Sequence, residues 1–127
     1  IINDSKSTNF HSLSYALKEA KRLFNSEYIL IICGDPRKEQ YRKIYIDGPQ
    51  TILIFGNHSN EINKCIKNTN KQTFKSIEDL FNFLKSNNIK HNLLFSPGYP
   101  SGNDFNDFIE RGECFNFYAE KYLNAGH

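Results

Sequence analysis

Asn92-Leu93-Leu94-Phe95-Ser96-Pro97-Gly98-Tyr99-Pro100-Ser101-Gly102 is the stretch that decides the fold of this chain. It begins with an apolar run, and a helical pattern of charged and aromatic residues follows it from Asn103 to Tyr122. This order predicts a strand, a tight loop and the start of a helix. Because the first turn of a helix has unpaired N–H groups and about half a positive charge, a loop rich in Gly and Ser that leads into it can bind an anion.

The opening of the chain repeats this form. The apolar pair Ile1-Ile2 is followed by the polar loop Asn3-Asp4-Ser5-Lys6-Ser7-Thr8-Asn9, which contains a lysine and several hydroxyls. Apolar residues spaced as on one face of a helix come next, from Leu13 to Phe24. Two such loops at the two ends of the chain could close on one ligand, and we expect that ligand to be small and anionic.

Two apolar runs in the middle of the chain predict buried strands. Tyr28–Cys33 and Thr51–Phe55 are typical of strands covered on both faces of a parallel sheet. Helical patterns lie between the strands, and this alternation predicts a single α/β domain with a mainly parallel sheet and helices on both faces. Four segments have a helical pattern: 13–24, which Asn9 or Ser12 would cap, a weak one at 37–45, a short one at 60–67, and one that begins after the cap Ser76. A short strand is predicted at 72–74.

The composition favours a single globular domain and excludes several classes of protein. The chain has 127 residues, 39% of them hydrophobic, and a net charge of +2 spread over intermixed basic and acidic residues. Since there is no basic block, we expect no nucleic-acid partner. No apolar stretch approaches the ~18 residues that span a bilayer, so we expect no membrane association and a cytoplasmic location.

Cysteines and histidines give no sign of a metal or disulfide site. The three cysteines form no C-x-x-C pair, and the four histidines have no further ligand at helical spacing. The chain also lacks the G-x-x-x-x-G-K-[ST] and G-x-G-x-x-G motifs, so it does not itself carry a nucleotide cradle. We predict no catalytic residue within this chain.

Three loops carry groups that bind anions. Loop one (residues 3–9), loop two (residues 34–38) and loop three (residues 96–107) leave the carboxyl ends of predicted strands, where parallel sheets bind their ligands. Cations, hydroxyls and a free helix N–H on neighbouring loops suit a dicarboxylate. The candidate binding groups are Lys6 and Thr8 in loop one, Arg37 and Lys38 in loop two, and Ser101 and the N–H of Phe108 at loop three.

Each candidate also has an ordinary structural interpretation. Asp107 can cap the last helix, which would leave the N–H of Phe108 unpaired. Taken singly, however, the ring of Phe108 would belong to the core, and Ser101 would be a turn residue. Lys6 and Arg37 would be solvated surface residues. Only their joint position after strand ends indicates a binding site.

Two segments resemble motifs of a known family. Asn3–Asn9, NDSKSTN, resembles the NDSKATN signature that opens the C-terminal domain in D-glutamate-adding members of the Mur ligase family. Leu94–Gly112, LFSPGYPSGNDFNDFIERG, resembles the family pattern L-L-S-P-A-x-A-S-x-D-x-F-x-x-F-x-x-R-G. Ile32–Arg37 matches more loosely the position of a G-G-x-x-[KR] loop. The resemblance covers nearly the whole chain, in order and spacing.

The resemblance implies that residues 1–123 form a Rossmann-like domain and that this domain binds D-glutamate. We interpret residues 124–127 as the remnant of a purification tag. Position by position, the resemblance implies a nucleotide contact for Asp4 and D-glutamate contacts for five other residues. The five are Lys6, Thr8, Arg37, Ser101 and Phe108.

The same resemblance implies a complete enzyme that is longer than this chain. That enzyme would be a monomer of the bacterial cytoplasm, and it would use ATP and Mg²⁺, held mainly by other domains, in peptidoglycan precursor synthesis. It would convert the alanyl carboxylate of UDP-N-acetylmuramoyl-L-alanine to an acyl phosphate, which the amine of D-glutamate attacks. This chain alone would then be inactive.

Two other functions stay open on the sequence alone. One is the C-terminal domain of another amide ligase of the superfamily, of the folylpolyglutamate synthase type, although the NDSK opening argues against it. The other is a Rossmann-like module that binds an anion or a partner without chemistry. The chain also departs from the family pattern at Gly98-Tyr99-Pro100, which replaces small residues. In loop two Asp35-Pro36 replaces glycines, and this leaves open whether Arg37 or Lys38 contacts the substrate.

Overall fold

The sheet has five parallel strands. A computed structural model describes residues 1–102 and 104–125, so Asn103 of the motif and residues 126–127 of the expected tag lie outside the described residues. The strand order is β1-β5-β2-β3-β4, and all four pairings are parallel. The predicted parallel α/β fold is therefore confirmed. The strands are β1 Ile2–Asn3, β2 Tyr28–Ile32, β3 Thr51–Phe55, β4 Lys71–Phe74 and β5 Asn92–Phe95.

In the described residues three α-helices connect strands and a fourth follows the last strand, and side chains cap three of the four. The Asn9 side chain accepts a hydrogen bond from the N–H of Ser12 at 2.9 Å, and the Ser76 hydroxyl accepts one from the N–H of Asp79 at 3.1 Å. Each cap satisfies an N–H that has no partner inside the helix. Asp107 caps the last helix in the same way. The helices are α1 Phe10–Phe24, α2 Ser59–Cys65, α3 Ile77–Ser86 and α4 Phe108–Ala125.

The strands send alternate side chains into two apolar layers. Ile29 and Ile31 of β2 pack in the layer that contains α3 and α4, together with Phe115. Leu30 and Ile32 face the opposite layer, which contains α1 and α2. Every residue of β2 is buried, as expected for a central parallel strand covered on both faces. The prediction of helices on both faces is thus confirmed.

One predicted helix is wrong and another begins later than expected. In the segment 37–45 the chain forms a 3₁₀ turn at Pro36–Glu39, which ends where Gln40 and Tyr41 take positive φ angles of 53° and 55°. An isolated parallel bridge then joins Ile44 to Ile66. The apolar stripe expected there does not exist, since Tyr41 is 47% exposed. The pattern that starts at Asn103 becomes helical only at Phe108, because Asp107 caps α4. Within residues 1–102 and 104–125, no helix is both long and apolar enough to cross a membrane.

Candidate functional site

The three candidate loops meet at one edge of the sheet. β1, β5 and β2 are neighbours, and their register pairs Asn3 with Phe95 and Phe95 with Ile31. Because the strands are parallel, loops one, two and three leave their carboxyl ends side by side. The expectation that the loops lie together is therefore met, and they lie where parallel sheets bind ligands.

Side chains and backbone join loop one to loop three. The hydroxyl of Ser96, which is fully buried, donates to Asp4 Oδ2 at 3.0 Å. The N–H of Gly98 donates to the carbonyl of Ser7 at 3.1 Å. The Ser5 hydroxyl donates to the carbonyl of Phe108 at 2.7 Å. The Ser96 bond fixes the Asp4 carboxylate just after β1, and the other two bonds hold loop one against loop three and the start of α4.

Arg111, which the sequence analysis did not single out, completes this connection. Its side chain is fully buried, and it donates to the carbonyls of Tyr99 at 2.8 Å and Ser5 at 2.6 Å. Its Nε also donates to the Ser5 hydroxyl at 3.3 Å. Within the described part of the chain no carboxylate lies within ion-pair distance of this guanidinium. Burial lowers the pKa of Arg111, yet an arginine remains charged at neutral pH.

The spacing of α4 could have indicated the burial of Arg111. Phe115 and Ala119 follow it at i+4 and i+8, and both are buried. Arg111 therefore lies on the buried face of α4, and a charge on such a face must find hydrogen-bond acceptors. The carbonyls of loops one and three are those acceptors.

Loop two is joined to loop three through the backbone. The N–H of Asp35 donates to the carbonyl of Pro100 at 2.9 Å. Gly34 has a φ of +125°, and a Cβ at this position would lie 2.4 Å from the Pro100 oxygen. Only glycine fits there, because both the backbone angle and the close approach exclude a side chain. The three loops thus form one bonded unit.

Arg37 already has a carboxylate partner in this structure. Its Nη2 lies 2.5 Å from Asp35 Oδ2, and its Nε donates to Asp35 Oδ1 at 2.9 Å. The hydrogen bond from Arg37 lowers the pKa of Asp35 to about 2. The Arg37 side chain is nevertheless 59% exposed, and the neighbouring Lys38 is exposed as well. A substrate carboxylate would therefore share Arg37 with Asp35 or displace it.

Lys6, Thr8 and Ser101 lie at the same edge with their polar groups available. Lys6 is exposed and makes no ion pair with the described residues. Thr8 and Ser101 are partly buried. An ammonium group and hydroxyl groups can each donate a hydrogen bond to a carboxylate oxygen.

The expectation that the ring of Phe108 belongs to the core is wrong. Phe108 is 45% exposed, because the buried face of α4 passes through Arg111 and Phe115 instead. The Asp107 carboxylate accepts from the N–H of Glu110 at 2.8 Å, so the cap is formed as predicted. The N–H of Phe108 lies in the first turn of α4, beside loop three.

Asp104 is a second site residue that the sequence analysis missed. Its Oδ1 accepts from the N–H of Asn57 at 2.9 Å, at the end of β3. Its Oδ2 is buried and has no hydrogen-bond partner in the described structure, and burial raises the pKa of Asp104. His58 Nε2 lies 3.9 Å from Asp35 Oδ2 in the same region. The site therefore has acidic groups towards β3 and a lysine towards β1.

Comparison with known proteins gives several relatives with the same name. The chain is 32% identical over 124 residues to a UDP-N-acetylmuramoylalanine–D-glutamate ligase of Petrotoga mobilis, covering 94% of this chain and 28% of that protein. It is 28% identical to the ligase of the same name from Leptospira borgpetersenii, over 97% of this chain and 31% of that protein. It is 30% identical to the ligase of that name from Prochlorococcus marinus, over 98% of this chain and 27% of that protein. The chain thus spans less than a third of the length of these curated relatives. No protein-family model matches it.

Proposed function

The chain belongs to the Mur ligase family as a C-terminal domain, and from this premise we propose that its three loops bind D-glutamate for a ligase that adds it to UDP-N-acetylmuramoyl-L-alanine. One observation carries the proposal: three loops with cations, hydroxyls and a helix start are bonded together at the carboxyl edge of the sheet. The named relatives are all D-glutamate ligases, which supports this substrate over that of a folylpolyglutamate synthase.

The chemistry of the loops matches a ligand with two carboxylates. Lys6 and Thr8 are proposed to bind one carboxylate, since an ammonium and a hydroxyl both donate to carboxylate oxygens. Ser101 and the N–H of Phe108 are proposed to bind the other, with help from the positive end of α4. Arg37 is the residue of loop two that is proposed to contact the substrate. Its guanidinium would release the Asp35 carboxylate and bind the substrate instead.

In the proposed reaction this chain holds the amino donor. ATP would supply the phosphoryl group that converts the alanyl carboxylate to an acyl phosphate, with ADP as the leaving group. The amine nitrogen of D-glutamate then bonds to the acyl carbon, the bond from that carbon to the phosphate oxygen breaks, and inorganic phosphate and a proton leave. The two reactants must be held within a few Å of each other. Because this chain is proposed to hold only one of them, we expect it to be inactive alone.

The described residues do not by themselves form a Mg²⁺ cage. Residues 1–102 and 104–125 contain no group of three or more His, Cys, Asp and Glu side chains placed to hold a metal ion. On the family resemblance, we propose that ATP and Mg²⁺ are held mainly by the rest of the ligase. Asp4, fixed by the Ser96 hydroxyl, is the residue proposed to contact the nucleotide.

The test uses the complete ligase that contains this domain. Lys6→Ala and Ser101→Ala should each raise the KM for D-glutamate, because each removes a hydrogen bond to a charged group worth roughly 1.5–3 kcal/mol, or about ten- to a hundredfold in affinity. Lys18→Ala on the exposed face of α1 is the matched control and should leave KM unchanged. An unchanged KM in both site variants would refute the assignment.

Loop two needs a test of its own. Arg37→Ala should raise the KM for D-glutamate by a similar factor, and Lys38→Ala should not. If Lys38→Ala raises KM while Arg37→Ala does not, the cation of loop two is Lys38 and the role proposed for Arg37 is wrong.

A further inference from the structure

A cavity lies at the opposite edge of the sheet from the three loops. Its volume is about 400 Å³, within the range of small-molecule sites. It is formed where α3 and α4 end and where the chain enters β1 and β5, that is, at the amino ends of the strands. The residues that line it are Ile1, Leu84, Lys85, Asn88, Ile89, Lys90, His91, Asn92, Tyr122 and Leu123.

Apolar groups make up much of the wall of this cavity. Leu84 is fully buried and Ile89 partly buried. The Tyr122 hydroxyl donates to the carbonyl of Ile89, which fixes the aromatic ring against the turn between α3 and β5. Leu123 adds a partly exposed apolar side chain. A ligand that enters would therefore meet apolar surface with an aromatic component.

The charged groups around the cavity are all basic. Lys85 and Lys90 line it and are exposed, and none of its lining residues is Asp or Glu. Lys85 and Lys90 make no ion pair with the described residues. An anionic group at this position would therefore find cations whose charge is not already neutralised.

We propose that this cavity binds a small amphipathic organic anion: an aromatic or branched aliphatic body against the apolar wall, with a carboxylate or sulfonate at Lys85 and Lys90. The proposal is independent of D-glutamate binding, because the cavity and the three loops lie at opposite edges of the sheet and share no residue. D-glutamate itself has no apolar body and should not bind here.

The test compares two dyes with the same aromatic body. The anion 8-anilinonaphthalene-1-sulfonate should bind saturably, and in ¹H–¹⁵N spectra of this chain its addition should shift the resonances of Leu84, Ile89 and Tyr122. N-phenyl-1-naphthylamine, which lacks the sulfonate, should bind the same residues more weakly. Shifts confined to loops one to three, or no saturable binding, would overturn the proposal.

A paired variant isolates the contribution of charge. The double variant Lys85→Gln, Lys90→Gln should lower the affinity for the sulfonate dye roughly fivefold, as expected for the loss of two exposed ion pairs. Its affinity for the uncharged dye should not change. Lys18→Gln with Lys21→Gln on α1 is the control and should change neither affinity. Equal weakening by both pairs would mean that only net charge matters, and this would also overturn the proposal.

Discussion

At the scale of single residues, Arg111 is the group on which loops one and three both depend. Arg111→Met removes hydrogen bonds to Ser5 and Tyr99, each worth roughly 1.5–3 kcal/mol, but it also removes a buried charge. We expect a net loss of about 2–4 kcal/mol in the free energy of unfolding, measured with urea. Arg22→Met, an exposed position paired with Glu19, is the control and should cost far less stability, because water screens this pair. An Arg111→Met loss as small as the control's would contradict this role.

Phe108 and Phe115 lie on the same helix with opposite exposure. Phe115→Ala should cost about 3–5 kcal/mol of stability, because its ring is fully buried. Phe108→Ala should cost about 1 kcal/mol, because the ring is 45% exposed and its backbone N–H is kept. Thermal melting of both variants tests this difference. Equal losses would place the Phe108 ring in the core after all.

Asp104 should make stability depend on pH. Its pKa is raised in the folded chain, so the folded state binds the proton more tightly than the unfolded state. Its contribution to stability therefore falls as the pH rises from about 4 through the raised pKa. Asp104→Asn removes this titration, so the stability of the variant relative to wild type should increase between about pH 3.5 and pH 7. A relative stability that decreases over this range would show that the charged carboxylate is stabilising.

At the scale of elements, Gly34 allows loop two to pack against loop three. Gly34→Ala forces an alanine to a φ of +125° and places its Cβ 2.4 Å from the Pro100 oxygen. We expect a loss of more than about 1 kcal/mol of stability. The N–H of Asp35, which donates to Pro100, should also exchange faster with solvent. Unchanged exchange at Asp35 would mean that the two loops are not held together at this point.

Most elements could be predicted because their signals are local. The buried strands can be recognised in the sequence as apolar runs, and Asn9 and Ser76 can be recognised as the N-caps of α1 and α3. The segment 37–45 could not be predicted, since neither Gln40 nor Tyr41 is a residue type that marks the positive φ angles at which the 3₁₀ turn ends. The start of α4 at Phe108 depends on the Asp107 cap, which overrides the helical pattern before it.

The candidate site was predictable only in part. The position of Lys6, Thr8 and Ser101 at one sheet edge follows from three strands that end in polar loops. The pairing of Arg37 with Asp35 depends on side-chain geometry, which the order of residues does not reveal. The contacts of Arg111 depend on carbonyls of two loops about a hundred residues apart in the chain.

At the scale of the whole molecule, the two edges of the sheet have different properties. The carboxyl edge carries the three bonded loops, and the amino edge carries the basic cavity of about 400 Å³. The chain has its own core on both faces of the sheet, so we expect it to fold alone. Ligands can therefore be tested on this chain without the rest of a ligase.

The most direct test of the central claim is a titration of this chain with D-glutamate, followed in ¹H–¹⁵N spectra. We expect saturable shifts of the N–H resonances of Lys6, Thr8, Ser101 and Phe108, and weaker shifts with L-glutamate at the same concentration. The Lys6→Ala variant should not show these D-glutamate-dependent shifts. If D-glutamate shifts no resonance in the three loops, or if Lys6→Ala leaves the titration unchanged, these loops are not the D-glutamate site.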